Sequence, residues 1–492
     1  MKLGGLLGGI PGAEFGASPD LEITSLAYNS QHASQGTLFF AIQGEKADAH
    51  RFIPQAIERG AGAVVSERTA PPEFQTRWVR VPKIRRALSE ASRVFFGRPD
   101  ARLKLVGITG TNGKTTTAYL MESIFLAAGL EPGLFGTVEY HFAGKIVPAR
   151  NTTPESLDML TYLAELVGHG GRAAAMEVSS HALAQERVWG FDFSAAVFTN
   201  LTQDHLDFHK NLQNYFEAKR RLFEGIGKPP PPLAVVNIDD TWGRKLLDIR
   251  YERLVTYGVS AAAEVRPKQT KFGAEGLNAV LSTQEGPVEI GSSLLGRPNL
   301  MNIMAATATA LGLGLSREAV EKGVATLASV PGRFERVDAG QPFLVLVDYA
   351  HTDDALKNVL TTARELTRGR LVVVFGCGGD RDRAKRPLMG EAAGSLADLA
   401  VLTSDNPRSE DPLRIMSDAL VGLQKTGKPY LMEVDRETAI RKALGEAHEG
   451  DVVVVAGKGH EAYQIFKDRT VPFDERQIVR RILREMGYGN KV

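Results

Sequence analysis

The apolar, β-branched run Lys104–Thr109 leads into Gly110-Thr111-Asn112-Gly113-Lys114-Thr115-Thr116 and then into the helix-forming stretch Ala118–Ala128. A strand, a glycine loop and a helix in that order point successive backbone N–H groups and a helix N-terminus at one spot, which suits a phosphate. Lys114 adds a point charge for β- and γ-phosphates, and the Thr115 hydroxyl can ligate Mg2+. The longer G-x-x-x-x-G-K-[ST] pattern is not met, because Ile108 stands where its first glycine would be. A shorter G-x-x-G-K-T loop remains. It implies ATP or GTP binding, and by itself does not separate a ligase from a kinase or a nucleotide switch.

The loop sits in an α/β context. Lys104–Thr109, Ala173–Val178, Ala195–Asn200 and Leu233–Asn237 read as strands separated by helical stretches, a rhythm that predicts a doubly wound, mostly parallel sheet. The 492 residues suit about three domains. Residues 1–98 mix short strands (36–42, 62–66, 78–81) with a helix near 52–59. Residues 99–331 form the central nucleotide-binding region, with a strand-rich stretch at 252–295 and a helix at 300–313. Residues 332–492 repeat the α/β rhythm in strands at 343–348, 371–375, 399–403 and 452–456, and the breaker pair Pro331-Gly332 marks the start of this third region.

Composition narrows the class. Lysine and arginine total 59 against 58 acidic residues, a net charge of +1 that supplies no global field for nucleic acid or an anionic membrane. The single cysteine, Cys377, rules out an internal disulfide and fits a reducing compartment. Apolar runs are of strand length, short of the roughly 20 residues of a membrane helix. The opening MKLGGLLGGIPG reads as the start of a domain rather than a signal peptide. A cytoplasmic protein is expected.

Three further groups bear on the chemistry. Glu177 ends a predicted strand, where doubly wound sheets bind ligands, and Ser179, Ser180 and His181 follow. Asp204, His205, Asp207 and His209 crowd six positions, either as metal ligands or as an ordinary polar loop. In the helix predicted near 212–223, apolar residues mark one face at Leu212, Tyr215, Phe216, Leu222 and Phe223, and Lys219 lies on that face. Periodicity alone favours a lysine that snorkels to solvent. The alternative is a desolvated, neutral amine able to take up CO2 as a carbamate.

GTNGKTT, Asn151-Thr152-Thr153, EVSSHALAQERV, TNLTQDHLDFH, YFEAKRRLF, GRPNLMN, PGRFE, DYAHTDDAL, GCGGDRDRAKRP, SDNPRSEDP and GKGHE occur in this order, and together the chain resembles the Mur ligases. The resemblance implies three domains: one binding UDP, a central ATPase with the phosphate loop, and a Rossmann-like C-terminal domain for the amino acid. It implies a cytoplasmic, monomeric ligase of peptidoglycan synthesis using ATP, Mg2+ and a CO2-derived carbamate on Lys219. Gly110–Thr116, Asn302, Arg333 and Asp348 would contact ATP. Thr115 and Glu177 would hold one Mg2+, with His205 and Lys219 serving a second. Ser30, Asn151, Thr152, Thr153, Ser179, Gln185 and Arg187 would meet UDP-N-acetylmuramoyl-L-Ala-D-Glu, with further uridine contacts near Glu45-Lys46-Ala47. Asp405-Asn406-Pro407-Arg408 is the motif of family members that add meso-diaminopimelate; lysine-adding relatives usually lack this arginine. Arg408 would pair the distal carboxylate that lysine does not have. Asn406, Gly457 and Glu461 would take its other polar groups, and Arg381 the second carboxylate. The rivals are a lysine-adding ligase, a folylpolyglutamate synthase-like ligase, which should lack the UDP domain and the DNPR segment, and a nucleotide switch, which leaves Lys219, DNPR and GKGHE without a role.

Overall fold

A computed structural model describes residues 1–44 and 47–489 of the chain. The uridine contacts expected at Glu45 and Lys46 fall outside the described residues. The chain divides into two compact units, Met1–Val265 with Ala305–Val320, and Arg266–Met304 with Glu321–Val492.

In the first unit, β1 (Glu14–Phe15), β2 (Ser25–Ala27), β3 (Thr37–Phe40), β4 (Ala61–Ser66) and β5 (Trp78–Arg80) form a sheet in the order β1-β5-β4-β3-β2. All its pairs are parallel except β1 with β5. Leu3–Leu7 is a short helix whose buried leucines join this core. Helix α1 (Ile84–Phe95) leads out of the sheet and carries Arg93, a buried guanidinium paired with Asp100 at 2.9 Å and Asp192 at 2.6 Å. On the same helix Arg86 makes a two-pronged pair with Glu186.

Next comes an eight-stranded sheet: β6 (Lys104–Thr109), β7 (Pro132–Phe135), β8 (Glu139–Phe142), β9 (Lys145–Pro148), β10 (Ala173–Glu177), β11 (Ala195–Phe198), β12 (Leu233–Asn237) and β13 (Arg253–Tyr257). Its order is β13-β12-β11-β6-β10-β7-β8-β9, parallel as far as β7, with an antiparallel β8–β9 edge. The doubly wound expectation is met. Since β6 is flanked by β11 and β10, the strand order reverses at β6, and the crevice outside its carboxyl end is where such sheets bind ligands. Helix α2 (Lys114–Ala127) follows β6, and α3 (Leu212–Glu224), capped by Asn211, covers the sheet.

In the second unit β14 (Arg266–Gly273), β15 (Gly276–Ser282) and β16 (Val288–Ser292) form a small antiparallel sheet. The helix expected at 300–313 begins earlier and spans Gly296–Gly312. Pro298 does not delay it, because first-turn N–H groups have no helical acceptor to lose. β17 (Glu335–Arg336), β18 (Leu344–Asp348), β19 (Leu371–Phe375), β20 (Leu399–Leu402), β21 (Tyr430–Met432) and β22 (Val452–Ala456) form a six-stranded sheet in the order β17-β18-β22-β19-β20-β21, parallel from β18 on. Every residue of β19 and β22 is buried, which is why these strands read as unbroken Val/Leu runs. A hairpin, β23 (Tyr463–Ile465) with β24 (Thr470–Pro472), follows. Helices α4 (Arg436–Gly445) and α5 (Glu475–Glu485) pack on the same face of the sheet. Cys377 is buried against Met389, and burial pushes its thiol up to about 12. No helix among the described residues is long and apolar enough to cross a membrane.

One polar cluster ties the phosphate-loop helix to the sheet edge. His141 on β8 meets Glu122 of α2 at 2.7 Å through Nδ1 and Glu139 at 3.0 Å through Nε2, and Tyr119 donates to Glu139 at 2.7 Å. Burial disfavours the imidazolium, but the Glu122 hydrogen bond and the charges of Glu122 and Glu139 outweigh it and raise the ring to about 9. A folded-state value above the unfolded one stabilises fully below about pH 6.5, and that contribution is lost as pH rises through about 9. Between pH 6.5 and 9.5 the thermal midpoint should fall, and His141→Gln should lower the midpoint at pH 6.5 and flatten that slope. An unchanged slope in the variant would remove the cluster as its cause.

Candidate active site

The phosphate loop begins at Gly110, whose φ of 146° suits glycine and where a Cβ would lie 1.9 Å from Thr199 Oγ1. Threading from β11 fixes the loop. Thr111 N donates to Asn200 O at 2.8 Å, Asn112 N to Asn200 Oδ1 at 2.9 Å, and Thr199 Oγ1 to Asn112 O at 2.6 Å. Lys114 Nζ folds back onto the loop, donating to the carbonyls of Gly110 at 2.9 Å and Thr111 at 2.8 Å. Thr115 and Thr116 are buried in the first turn of α2.

Lys219 does not snorkel. It is 1% exposed, and its Nζ donates to the carbonyl of Gly110 at 2.7 Å and lies 4.4 Å from the Tyr215 ring. The periodicity reading fails because the amine finds an acceptor in the loop, so the side chain gains nothing by reaching for water. Burial first, and Lys114 second, push Lys219 well below the usual lysine range, with Asp204 opposing.

Glu177 ends β10 in register with Ile108 of β6 and is 1% exposed. Its carboxylate accepts from Thr137 N at 2.8 Å and Thr137 Oγ1 at 3.0 Å. A Cβ on Gly136 would come within 2.4 Å of Glu177 Oε1, so the backbone there is shaped around the carboxylate.

The histidine-aspartate stretch divides. His205, half exposed and left-handed at φ 52°, lies 3.4 Å from Asp204 through Nε2 and edge-on to His181. Partial burial and the His181, Lys114 and Lys219 charges favour its neutral form against Asp204. His209 is buried and bonded to Ser180 Oγ at 2.9 Å, and Asp207 lies in the first turn of a four-residue helix, Leu206–His209. His209 takes an ordinary structural role, and Asp207 is exposed. Among the described residues no three His, Cys, Asp or Glu side chains gather as a metal cluster. Thr115 and Glu177 carry oxygen donors of the kind that Mg2+ takes alongside water and substrate oxygens.

Most of the expected dipeptide contacts gather beside Glu177. Thr153 Oγ1 donates to Glu177 O at 2.8 Å and accepts from Ser179 N at 3.0 Å. Arg187 donates to Thr153 O at 2.9 Å and Gln185 Oε1 at 2.7 Å, and Thr152 Oγ1 is 3.1 Å from Thr137 Oγ1. The backbone N–H of Asn151 donates to Tyr140 Oη at 3.1 Å. Ser30 stands apart in the five-stranded-sheet region, where its hydroxyl donates to Gln55 Oε1 at 2.7 Å.

In the second unit, Asn302 is buried and donates to Asn299 at 3.1 Å, and the Arg333 guanidinium lies 4.9 Å from the Tyr349 ring. Asp348, at the carboxyl end of β18, accepts from Phe334 N at 2.7 Å and Ala350 N at 2.8 Å, and burial raises its carboxyl. The other candidates collect at the carboxyl ends of β19, β20 and β22. Asp405, Asn406 and Pro407 are buried. Arg408 has φ 51°, a left-handed backbone that a non-glycine residue adopts at a cost. Its Nη1 donates to Gly379 O at 2.6 Å, and exposed Arg381 holds the next carbonyl, Asp380 O, at 3.2 Å. Asn406 Nδ2 donates to Glu461 Oε2 at 2.8 Å, and Gly457 follows β22 directly.

Sequence reasoning assigned no role to Thr137, Tyr215 or Lys458. Tyr215 was visible only as part of an apolar stripe, Thr137 lies in no motif, and Lys458 sat inside the quoted GKGHE.

The sequence matches the Mur ligase family catalytic domain at residues 22–96, the Mur ligase middle domain at 108–310, and the Mur ligase, glutamate ligase domain at 332–459. It is 55% identical over 468 residues to UDP-N-acetylmuramoyl-L-alanyl-D-glutamate--2,6-diaminopimelate ligase of Solibacter usitatus, spanning 95% of this chain and 94% of that protein. A solved structure of a protein with that ligase name superposes with a TM-score of 0.71 at 31% identity, covering 99% of each chain. The MurF ligase from Thermotoga maritima in complex with ADP shares the fold, with a TM-score of 0.63 at 20% identity over 95% of this chain and 97% of that one. The chain belongs to the Mur ligase family, with its three-domain, mostly parallel α/β fold.

Gly110→Ala should abolish measurable ATP binding by calorimetry, because the added methyl collides with Thr199 and the backbone leaves its left-handed region. Wild-type affinity in the variant would mean that the loop does not need this conformation.

Proposed function

We propose that this Mur ligase is the ATP-dependent enzyme that adds meso-2,6-diaminopimelate to UDP-N-acetylmuramoyl-L-alanyl-D-glutamate in peptidoglycan synthesis. The observation that carries the reading is that Arg408, held on Gly379 O, and the Asn406–Glu461 couple both lie at the carboxyl end of the six-stranded sheet. A guanidinium and an amide N–H suit a carboxylate, and the Glu461 carboxylate suits an ammonium, so the set matches an amino-acid centre rather than a simple amine. The relative that is 55% identical carries the name of this activity. A lysine-adding enzyme would leave Arg408 without its partner. The three domains take the boundaries 1–98, 99–331 and 332–492, and free UDP-linked substrates assign the step to the cytoplasm, where the enzyme works as a monomer.

The D-Glu γ-carboxylate attacks the γ-phosphorus of ATP. A new P–O bond forms, the bond to the β-phosphate bridge breaks, and ADP leaves behind an acyl phosphate. Lys114 exchanges the carbonyls of Gly110 and Thr111 for phosphate oxygens, and the loop N–H groups hold the transferring group in line. Desolvation and the Lys114 charge disfavour the Lys219 ammonium; in its deprotonated form the amine bonds to the carbon of CO2 and releases a proton, and the carbamate anion so formed would attract Lys114. Thr115 and Glu177 at one position, with His205 and the Lys219 carbamate at a second, would hold Mg2+, which when bound neutralises charge on the phosphoryl group. Thr152, Thr153, Ser179, Gln185 and Arg187, with Asn151 and Ser30, orient the UDP-dipeptide, while Asn302, Arg333 and Asp348 contact the nucleotide. The diaminopimelate amine then attacks the acyl carbon, the C–O bond to phosphate breaks, and inorganic phosphate leaves as the nitrogen loses its proton. Arg381 takes the second carboxylate of the amino acid.

Phosphate release with the UDP-dipeptide and ATP should require meso-diaminopimelate and be weak with L-lysine or D-lysine. Equal release with lysine would overturn the specificity. Lys219→Ala should cut turnover about 100-fold, with partial recovery in added acetate or formate; full activity in the variant would remove the carbamate. Arg408→Ala should raise the KM for diaminopimelate roughly 30-fold, the loss of ~2 kcal/mol from a charge-assisted hydrogen bond, while sparing the KM for ATP. An equal effect on both would detach Arg408 from the amino acid.

A further inference from the structure

The mechanism above gives no task to Lys458 of the Gly457-Lys458-Gly459-His460-Glu461 segment. Lys458 is 0% exposed. Its Nζ donates to Asn406 Oδ1 at 2.9 Å and lies 3.4 Å from Glu461 Oε2 and 3.9 Å from Asp405 Oδ1. A fully buried ammonium persists only where paired and hydrogen-bonded, so these contacts are the condition of its being there.

The contacts fix Asn406. Its Oδ1 accepts from Lys458 and also from Ile465 N at 3.0 Å. An ammonium and a backbone N–H can only donate, so this end of the amide must be oxygen and the other end nitrogen. The nitrogen gives one hydrogen to Glu461 Oε2 at 2.8 Å, and its second finds no acceptor among the described residues. Charge points the same way. Nearby Arg436 and Glu475, both fully buried, cancel one another at 2.6 Å. Lys458 cancels one of the two carboxylates Asp405 and Glu461, leaving one to stand opposite the Arg408 guanidinium. An amide N–H with one hydrogen to spare and a guanidinium, beside that carboxylate, complement a carboxylate next to an ammonium.

We propose that Lys458 is a positioning residue for the amino-acid substrate: it locks the Asn406 amide with its N–H toward the substrate carboxylate and leaves one carboxylate free for the substrate ammonium. This rests on the reading of Asn406 and Glu461 as diaminopimelate contacts.

The test is steady-state phosphate release by the full chain, varying each substrate in turn, for Lys458→Met, Asn406→Leu and the double variant. Lys458→Met should raise the KM for diaminopimelate about tenfold and narrow the preference over lysine, with the KM for ATP and for the UDP-dipeptide within about twofold. Asn406→Leu should do at least as much, and the double variant no more than Asn406→Leu alone, because Lys458 acts through Asn406. If Lys458→Met does not fold, Lys458→Gln, which keeps a donor and most of the volume, should show the same selective rise at smaller size. An unchanged KM for diaminopimelate in the folded Lys458 variant, or an equal rise in all three KM values, overturns the positioning role. An unchanged KM in Asn406→Leu shows instead that Asn406 does not meet the substrate, and the proposal falls with that reading.

Discussion

One carbonyl organises the first unit: Gly110 O accepts from the ammoniums of both Lys114 and Lys219. Two cations on a single acceptor in a buried setting cannot both be comfortable, and Lys219, the more deeply buried, is the one driven toward neutrality. The residues around it follow from that constraint. The glycine is needed because Thr199 leaves no room for a side chain, Asn200 pins the loop so that the carbonyl faces inward, and Tyr215 lends its ring to the amine. The loop is thus both a cradle for phosphate and a device that sets the protonation of a lysine from a distant helix.

The second unit solves a different problem, that of holding charges at the ends of parallel strands. The carboxyl ends of β20 and β22 are joined by Arg436, which donates to Ser404 O at 3.1 Å and Ala456 O at 2.7 Å and is neutralised by Glu475. Arg408, strained into a left-handed conformation, sits just beyond β20 and leans on the loop after β19. A buried pair of this kind adds little net stability compared with an apolar packing, but removing one member strands the other. It therefore fixes geometry at the site more than it strengthens the fold.

The strands that build both sites were legible because they are buried on both faces, so that Val452–Ala456, Leu371–Phe375 and Lys104–Thr109 stand out as apolar runs. Glu177 was legible from its place at a strand end. The edge strands β8 and β9 were not anticipated, since four-residue segments with partly exposed faces carry no strong pattern. The start of the Gly296–Gly312 helix was hidden by Pro298. Periodicity could put Lys219 on the apolar face but could not decide where its amine goes, because the deciding acceptor lies 109 residues earlier. His209 shows the reverse. The sequence left it open between a ligand and a polar-loop residue, and its bond to Ser180, from another element, gives it a structural partner. Local pattern gives the face; long-range partners give the fate.

The Arg436–Glu475 pair also orders events during synthesis. Every residue that shapes the phosphate loop has been made once the chain reaches Lys219. The strand ends that frame the amino-acid pocket are bridged by a guanidinium whose only buried counter-charge in the pair arrives at residue 475. A nascent chain can therefore complete the contacts of its nucleotide loop before the charge pair that bridges β20 and β22 exists.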